Sequence, residues 1–357
     1  MMTVLTELKV AQIGSGLAAA VCGRLFKDVG ADVVCLGPAM DSALAQHLND
    51  NKTVAESLPD DVEIIVIEGA PTTLNAEGWD AASLRPRFPD AALVYISPYG
   101  QTGPDANKPA TDLTLFCASA IARCLTGQVD DLSEPPIRPV GEQSAFIGGL
   151  AAACAGIHAV LKGGPTVVDV SIQEALATLS MTELTKAGLG GGGWPRQRLA
   201  DGNGATVCIL PASDGYAAIS PREDHQWIAW LEAMGSPDWG ADPRFATKPD
   251  RVRNWEALHV LMSEWSCNFD KQSIADLAQT AHVPGFPLKE PGEQLGSVQL
   301  EHRHSFRISN DLRTPIKSIA NPFGLSISQG SSTRPETGEC GLPLKGVRVL
   351  DFSWVIA

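Results

Sequence analysis

A carboxylate that stands directly before a long apolar stretch is the residue best placed for covalent chemistry. Glu142 follows Gly141, and the chain then runs through mostly apolar residues to Leu161. We expect a helix there with Glu142 at its cap or in its first turn, where the helix dipole and free N–H groups stabilise a carboxylate by about 0.3–1 kcal/mol. An ionised carboxylate that faces a pocket can attack an acyl carbonyl. Acids are also common in first helical turns for stability alone, so the position permits catalysis without establishing it.

A glycine-containing turn near the start of the chain suits a phosphate. The segment Gly14–Ala19 matches the pattern G-x-G-x-x-[G/A] between a strand and a helix, and a helix N-terminus can hold an anion. A dinucleotide site also needs an acid at the end of the second strand, and here that strand ends Val34–Gly37 without one. The missing acid counts against NAD. The alternative interpretation is a tight turn that allows close helix packing.

A Gly/Pro-rich loop is the third candidate. The apolar strand Ala92–Ser97 runs into the segment Pro98–Pro109, and open α/β sheets bind ligands at the carboxyl ends of their strands. Lys108 could reach a phosphate from this loop. An ordinary surface turn would look the same in the sequence.

Composition excludes several other classes of protein. The 357 residues are 44% hydrophobic and carry 27 Lys and Arg against 41 Asp and Glu, a net charge of −14, which makes nucleic acid a poor partner. None of the eight cysteines forms a C-x-x-C pair, and His302-x-His304 has no further ligands nearby, so we expect no metal site. Scattered cysteines and the lack of a signal peptide predict a soluble, cytoplasmic protein. The apolar stretch 145–161 falls short of a membrane span of about 20 residues.

The order of apolar segments predicts the elements that position these residues. Lys9–Ile13, Ala31–Leu36, Val62–Ile67, Ala92–Ser97 and Thr166–Val170 are typical of strands. Helices are expected at Leu17–Val29, which Gly30 would end, and at Ser144–Leu161 and Ile172–Lys186. This alternation indicates an α/β fold with a mostly parallel sheet.

After about residue 187 the pattern changes. Glycine-rich connectors at 188–194 and 202–204 precede a helix-rich stretch that runs to about Arg303 and contains Trp227, Trp230 and Met234 at helical spacing. We interpret 210–303 as a small α/β domain and 304–341 as an extended return segment. Residues 342–357 begin a strand and a turn that repeat the pattern of residues 8–13.

The loop after the fourth strand carries a family resemblance. The stretch Phe88–Pro104, followed by Lys108-Pro109 and Asp112, resembles the class III CoA-transferases, also called the CaiB/BaiF family, which includes carnitine and formyl-CoA transferases and α-methylacyl-CoA racemases. Other segments resemble the family in the same order along residues 8–330. They are Leu25–Val34, Asn49–Lys52, Val167–Ser171, Glu174-Ala175, Asp214–Tyr216, Gln226-Trp227, Asp242–Phe245, Arg251 with Asn254, and His282–Pro284.

The resemblance implies a fold and a partner. It implies a large Rossmann-like, CoA-binding domain at 1–200, the small domain at 210–303, and an interlocked dimer or pseudodimer. Some members are tandem fusions of two homologous halves. Residues 342–357 resemble the family's first strand and turn, so we expect them to begin a second half.

The resemblance also implies chemistry. In family transferases an Asp attacks the acyl-CoA thioester, an anhydride and then an enzyme–CoA thioester follow, and an acceptor carboxylate takes the CoA. That Asp position falls on Glu142, whose extra methylene moves the carboxylate by about one bond length, enough to affect catalysis. CoA contacts are implied at loop and turn positions. They are Ala18, Ala19, Lys52, Tyr99, Gly100, Gln101 and Lys108.

Other departures from the family lie at ligand positions. The first turn lacks the family's Gly-Pro, and the second strand ends Cys35–Gly37 where the family usually has Lys-Val-Glu. The glycine loop that covers the site in some members corresponds to either Gly190–Gly193 or Gly202–Gly204.

Four hypotheses remain, in order. The first is a CoA-transferase with Glu142 as nucleophile, using acyl-CoA and a carboxylic acid and no metal. The second is an inert CoA-binding or scaffold half whose partner half carries the catalytic Asp. The third is an α-methylacyl-CoA racemase, which needs an acid/base pair, and the fourth is an NAD-binding module.

Overall fold

The computed structural model describes residues 5–37, 42–125, 128–136, 139–192, 196, 205–309, 316–320 and 346–352. The chain divides into two compact units. The first comprises Met1–Gln128, Glu134–Trp194 and Gln299–Ala357, and the second comprises Val129–Ser133 and Pro195–Val298. The predicted four-part division at 200, 210, 303 and 341 stays a prediction, since much of its last two parts lies outside the described residues.

The first unit is built on a six-stranded parallel sheet with the order β3-β2-β1-β4-β5-β6. Its strands are β1 Lys9–Ile13, β2 Asp32–Leu36, β3 Thr53–Val54, β4 Ile64–Glu68, β5 Ala92–Ser97 and β6 Thr166–Ser171. Every neighbouring pair is parallel. This is the strand order of the Rossmann fold, and it confirms the predicted α/β class.

Nine helices of this unit lie among the described residues before 190. They are α1 Leu17–Asp28, α2 Ala43–Asn49, α3 Pro71–Glu77, α4 Ala81–Leu84, α5 Asp112–Ala118, α6 Ile121–Leu125, α7 Gln143–Lys162, α8 Ile172–Ala177 and α9 Met181–Gly188. Helices α1 and α7 pack closely because Gly149 has no side chain: a Cβ there would lie 2.6 Å from the carbonyl oxygen of Ala18. Helix α1 ends as predicted, with Val29 at the C-cap and Gly30 at a φ of 106°.

The predicted helical stretch at 172–186 is helical throughout, but it is not one continuous α-helix. The chain forms α8, then a 3₁₀ turn at Thr178–Ser180, and then α9. The hydroxyls of Thr178 and Ser180 donate to the carbonyl oxygens of Ala175 and Ala177, at 2.7 and 3.0 Å. Hydroxyl groups that bond back to the preceding turn bend and interrupt helices, which accounts for the break.

The second unit holds a three-stranded antiparallel sheet in the order β7-β8-β9, formed by β7 Cys208–Ala212, β8 Gly215–Ile219 and β9 Gly285–Pro287. Its helices are α10 Asp224–Ala233, α11 Lys248–Arg253, α12 Trp255–Ser266, α13 Lys271–Thr280 and α14 Pro291–Gln294. Trp227, Trp230 and Met234 are buried in its core, as their spacing predicted. The Trp230 ring meets that of Trp265 edge to face at 5.5 Å.

After α15 (Val298–His302), the chain forms the hairpin β10 Phe306–Ser309 and β11 Ile316–Ile319. Arg307 pairs with Asp28 at 2.7 Å, which joins this hairpin to α1 of the same unit. Residues 347–352 are not in a strand, and the apolar side chains of Val349, Leu350 and Phe352 are more than four-fifths exposed. The rest of the predicted second-half segment, 342–345 and 353–357, lies outside the described residues.

Candidate functional site

A cavity of about 1290 Å³ opens at the carboxyl ends of the parallel strands. Its walls include residues that follow β1, β2, β4 and β5, which places it beside the point where the strand order reverses. Open α/β sheets bind ligands at this point. The lining residues used below are Gly14, Gly16, Glu56, Glu68, Glu77 and Lys108.

The glycine turn lies on one wall of this cavity. Gly14 adopts a φ of 96°, which only glycine accepts at low cost, and Gly16 is the N-cap of α1. No side chain of the turn caps the helix, and the first turn of α1 contains no acid. The N-terminus of α1 is therefore short of an anion from its own sequence.

Glu68, at the end of β4, supplies that anion. Its Oε2 accepts a hydrogen bond of 2.6 Å from the backbone amide of Ala19. A Cβ on residue 16 would lie 1.9 Å from the carboxyl carbon of Glu68, so Gly16 is the residue that lets the carboxylate enter. Gly16, the second glycine of the pattern, thus leaves room for a carboxylate of the protein itself at the position where a ligand phosphate binds in dinucleotide sites.

The pKa of Glu68 is raised from its ordinary 4.5 to about 7. Burial beside the helix is the main cause, and the hydrogen bonds from the amides of Ala19 and Ala18 partly oppose it. Sequence reasoning missed Glu68 because it sought an acid at the end of β2. The available signal was an acid directly after the apolar run Ile64–Ile67.

Ala18 and Ala19 are fully buried. Because the amide of Ala19 donates to Glu68, a CoA contact through these two residues requires Glu68 to move. Their predicted role stays a prediction.

Lys52 lies in a buried polar cluster and not on the cavity wall. Its ammonium donates to Gln12 Oε1 at 2.7 Å, to the carbonyl oxygen of Ala20 at 2.8 Å and to Asn49 Oδ1 at 3.1 Å. Burial lowers the pKa of Lys52 to about 8. All three ammonium donors thus have acceptors within the fold, so the segment Asn49–Lys52 joins α2 to α1 and β1, and its predicted contact with CoA stays a prediction.

The loop after β5 is held by an acid of the neighbouring strand β6. The amide of Gln101 donates to both carboxylate oxygens of Asp169 at 3.0 Å, and Gln101 Nε2 donates to the carbonyl oxygen of Gly69 at 3.1 Å. Gly100 has a φ of 89°, and Tyr99 packs on the core. The predicted segment Tyr99–Gln101 therefore has a fixed conformation at the ligand-binding edge of the sheet.

Lys108 is the predicted site residue that lines the cavity. It is exposed and pairs with Asp105 at 2.6 Å, and this carboxylate raises the pKa of the Lys108 ammonium. The other charged residues in the described lining are Glu56, Glu68 and Glu77. A polyanion in this cavity would therefore place its phosphates toward Lys108.

Glu142 is the N-cap of α7, as predicted, but its backbone is unusual. Its φ and ψ are 54° and 37°, in the left-handed region, and Gly141 before it also has a positive φ of 96°. A non-glycine residue held there costs about 1–3 kcal/mol, and such strain is concentrated at functional sites.

The side chain of Glu142 is exposed and makes no capping hydrogen bond to α7. Asp112, the first residue of α5, provides that bond instead: its Oδ1 accepts from the amide of Ser144 at 2.8 Å. The carboxylate of Glu142 is thereby left available for chemistry. Glu142 is not among the residues that line the cavity described above.

Within the described residues, no group of three or more His, Cys, Asp or Glu side chains is placed to hold a metal ion. One helix of that same part, α7, is long and apolar enough to cross a membrane by length and composition, and 44% of its most apolar window is buried in the fold.

The fold and the cavity define an α/β protein with an open cavity at the edge of a Rossmann-type sheet. Residues 42–340 match the model of CoA-transferase family III, and the chain belongs to that family. The predicted family is thus confirmed, and so is the prediction of an enzyme of this class.

Relatives agree with this assignment. Succinyl-CoA–D-citramalate CoA-transferase of Chloroflexus aurantiacus is 24% identical, over 84% of this chain and 82% of the relative. The probable CoA-transferase Rv1866 of Mycobacterium tuberculosis is 26% identical over 88% of this chain, which spans only 43% of Rv1866. A CaiB/BaiF family protein of Brucella suis superimposes with a TM-score of 0.80, at 21% identity over 91% of this chain and 93% of that structure, and so shares the fold.

Proposed function

We propose that the chain moves CoA from an acyl-CoA donor to a carboxylic acid acceptor, with Glu142 as the nucleophile. The observation that carries this proposal is that two different acids serve the start of α7, one as the cap and one with a carboxylate that is not used by the cap. Asp112 caps the helix through Ser144, while Glu142 holds a strained left-handed conformation with its carboxylate uncommitted to the cap.

The reaction follows from that carboxylate. Glu142 attacks the thioester carbonyl, the C–S bond breaks, and CoA leaves as a thiolate. The acyl group remains on Glu142 as a mixed anhydride. The thiolate then attacks the Glu142 carbonyl and expels the donor's carboxylate, which leaves a Glu142–CoA thioester. The acceptor carboxylate then attacks the Glu142–CoA thioester and releases the CoA thiolate. The thiolate attacks the acceptor's carbonyl, which restores the Glu142 carboxylate and releases the new acyl-CoA.

We place CoA at the cavity on the sheet edge. Its volume of about 1290 Å³ exceeds the range typical of drug-sized ligands. Lys108 supplies positive charge on its lining, and Asp169 fixes the loop Tyr99–Gln101 beside it. The exposed acids Glu56 and Glu77 favour placing the phosphates away from them.

The direct test of the nucleophile is covalent trapping. Succinyl-CoA is the first donor to screen, since four of the relatives are named for it. With donor and hydroxylamine, we expect a hydroxamate at Glu142 by mass spectrometry, and Glu142→Ala should abolish exchange of labelled CoA. Gln143→Ala, an exposed neighbour, is the matched control and should keep exchange. Full exchange activity in Glu142→Ala would refute the assigned role.

An inert CoA-binding half is the second candidate, favoured by the Glu at the family's Asp position. The trapping and exchange experiments distinguish this candidate from the active transferase. An inert half binds CoA, forms no hydroxamate, and exchanges no CoA unless a partner half with its own Asp is present.

We propose that a second homologous half or an identical chain covers the apolar face of α7. Phe146, Leu150 and Leu161 are spaced to share one helix face and are all more than a third exposed. The span of 43% of Rv1866 supports the fused arrangement. Light scattering, which measures the molar mass in solution, tests this. A particle that contains one copy of this fold and no second copy would contradict the proposal.

We also propose a cytoplasmic location. All seven cysteines in the described part of the chain are free thiols, a state typical of a reducing compartment. Fractionation of cells that express the full-length protein checks this.

A further inference from the structure

The contact between Glu68 and α1 takes the place that a ligand phosphate has in related folds. In dinucleotide-binding α/β proteins, the G-x-G-x-x-G turn brings a diphosphate to the helix N-terminus. Here the same turn brings the carboxylate of Glu68 to that helix end, at 2.6 Å from the amide nitrogen of Ala19. Both groups are oxyanions that need N–H donors, so they compete for the same amides.

The surrounding residues are shaped for the carboxylate. Gly16 has no side chain where a Cβ would lie 1.9 Å from the carboxyl carbon of Glu68, and a Cβ on Gly14 would lie 3.1 Å from the carbonyl oxygen of Glu68. Helix α1 offers no acid or cap of its own in its first turn. Glu68 is thus the anion around which this turn is built.

We propose that the Glu68 side chain fills the phosphate position of the Gly14–Ala19 turn and, by occupying its amides, excludes ligand diphosphates from it. The turn then selects against dinucleotides, and the phosphates of a ligand in the cavity bind elsewhere, toward Lys108. On this proposal the amides of Ala18 and Ala19 bind Glu68 and not CoA. The inference concerns the cavity proposed for CoA, but it does not depend on Glu142 or on CoA binding.

The test titrates inorganic pyrophosphate into the full chain labelled with [15N]alanine. At about pH 8, above the pKa of Glu68, the wild-type amides of Ala18 and Ala19 should not shift. In Glu68→Ala they should shift, and pyrophosphate should bind about tenfold more tightly than to the wild type. Glu77→Ala is the matched control: it removes an exposed acid of the same cavity wall, and screening should limit its effect to less than about threefold.

Glu68→Gln separates filling of the turn from charge. Its amide oxygen still accepts from Ala19, so we expect pyrophosphate affinity within about threefold of the wild type. Three results would overturn the proposal: a pyrophosphate-induced shift of the wild-type Ala19 amide, equal gains in affinity in Glu68→Ala and Glu77→Ala, or a tenfold gain in Glu68→Gln. The wild-type arm decides even if Glu68→Ala does not fold. A parallel CoA titration that shows no binding would refute the CoA site and leave this inference intact.

Discussion

Replacing Glu68 by Gln should change the dependence of stability on pH. Burial raises the pKa of Glu68 from 4.5 to about 7 in the fold. The folded protein therefore binds a proton that the unfolded chain has already released, so this group stabilises the fold at low pH and that contribution is lost as the pH rises through about 7. Glu68→Gln carries no titrating group and should not show this loss.

The size of the effect follows from the two pKa values. The full contribution is about 3 kcal/mol, and about 2 kcal/mol of it is lost between about pH 5.5 and about pH 8.5. The free energy of unfolding of Glu68→Gln, relative to the wild type, should therefore increase by about 2 kcal/mol over that range. The contributions of all other carboxylates and histidines to the pH dependence cancel in this difference, because both proteins share them.

Urea unfolding followed by circular dichroism at several pH values measures this difference. The two compact units call for a fit with two transitions, and Trp230→Ala, which weakens the core of the second unit alone, identifies which transition belongs to it. Glu77→Gln, an exposed acid on the same cavity, is the control and should show no such trend. A difference between Glu68→Gln and wild type that stays constant with pH, or that changes in the opposite direction, would refute the reasoning, since the amide hydrogen bonds would then outweigh burial.

Three further substitutions test the packing around the site. Asp112→Ala removes the cap of α7, so it should lower the free energy of unfolding by about 1 kcal/mol and also slow CoA transfer, whereas a change in stability alone would show that Asp112 does not position Glu142. Gly16→Ala should lower the melting temperature because its Cβ would displace the end of the Glu68 side chain from the Ala19 amide, and adding Glu68→Ala to Gly16→Ala should restore part of the loss; additive losses in thermal denaturation would contradict this. Gly149→Ala should cost about 1–3 kcal/mol by separating α1 from α7, and an unchanged melting temperature would show that the helices can move apart freely.

The sheet could be predicted from the sequence because its strands are short apolar runs between turns. The bounds of β1 and β5 agree with the expectation, and the spacing of Trp227, Trp230 and Met234 indicated the core of the second unit. The spacing of apolar residues indicates which side chains of one segment are buried, and for these elements that local pattern was sufficient.

The site was less predictable because its key contacts join segments that are distant in sequence. Glu68 meets Ala19 across 49 positions, and Asp112 meets Ser144 across 32. A pattern such as G-x-G-x-x-A specifies that an anion belongs at a helix end, but not whether a ligand or the protein supplies it. Lys52 shows the same limit: the family resemblance implied a contact with CoA, while in the fold its ammonium donates to Gln12, Asn49 and a carbonyl oxygen.

The cap that Asp112 provides to α7 has a consequence for how this enzyme can diverge. Since Asp112 caps the helix from another element, the side chain at position 142 makes no contribution to the cap. A gene duplication could therefore exchange, lengthen or delete the carboxylate at that one position while the scaffold keeps its stability. On the proposed mechanism, reactivity and folding are therefore separable, and a substitution at this one position would be enough to remove or restore the nucleophile.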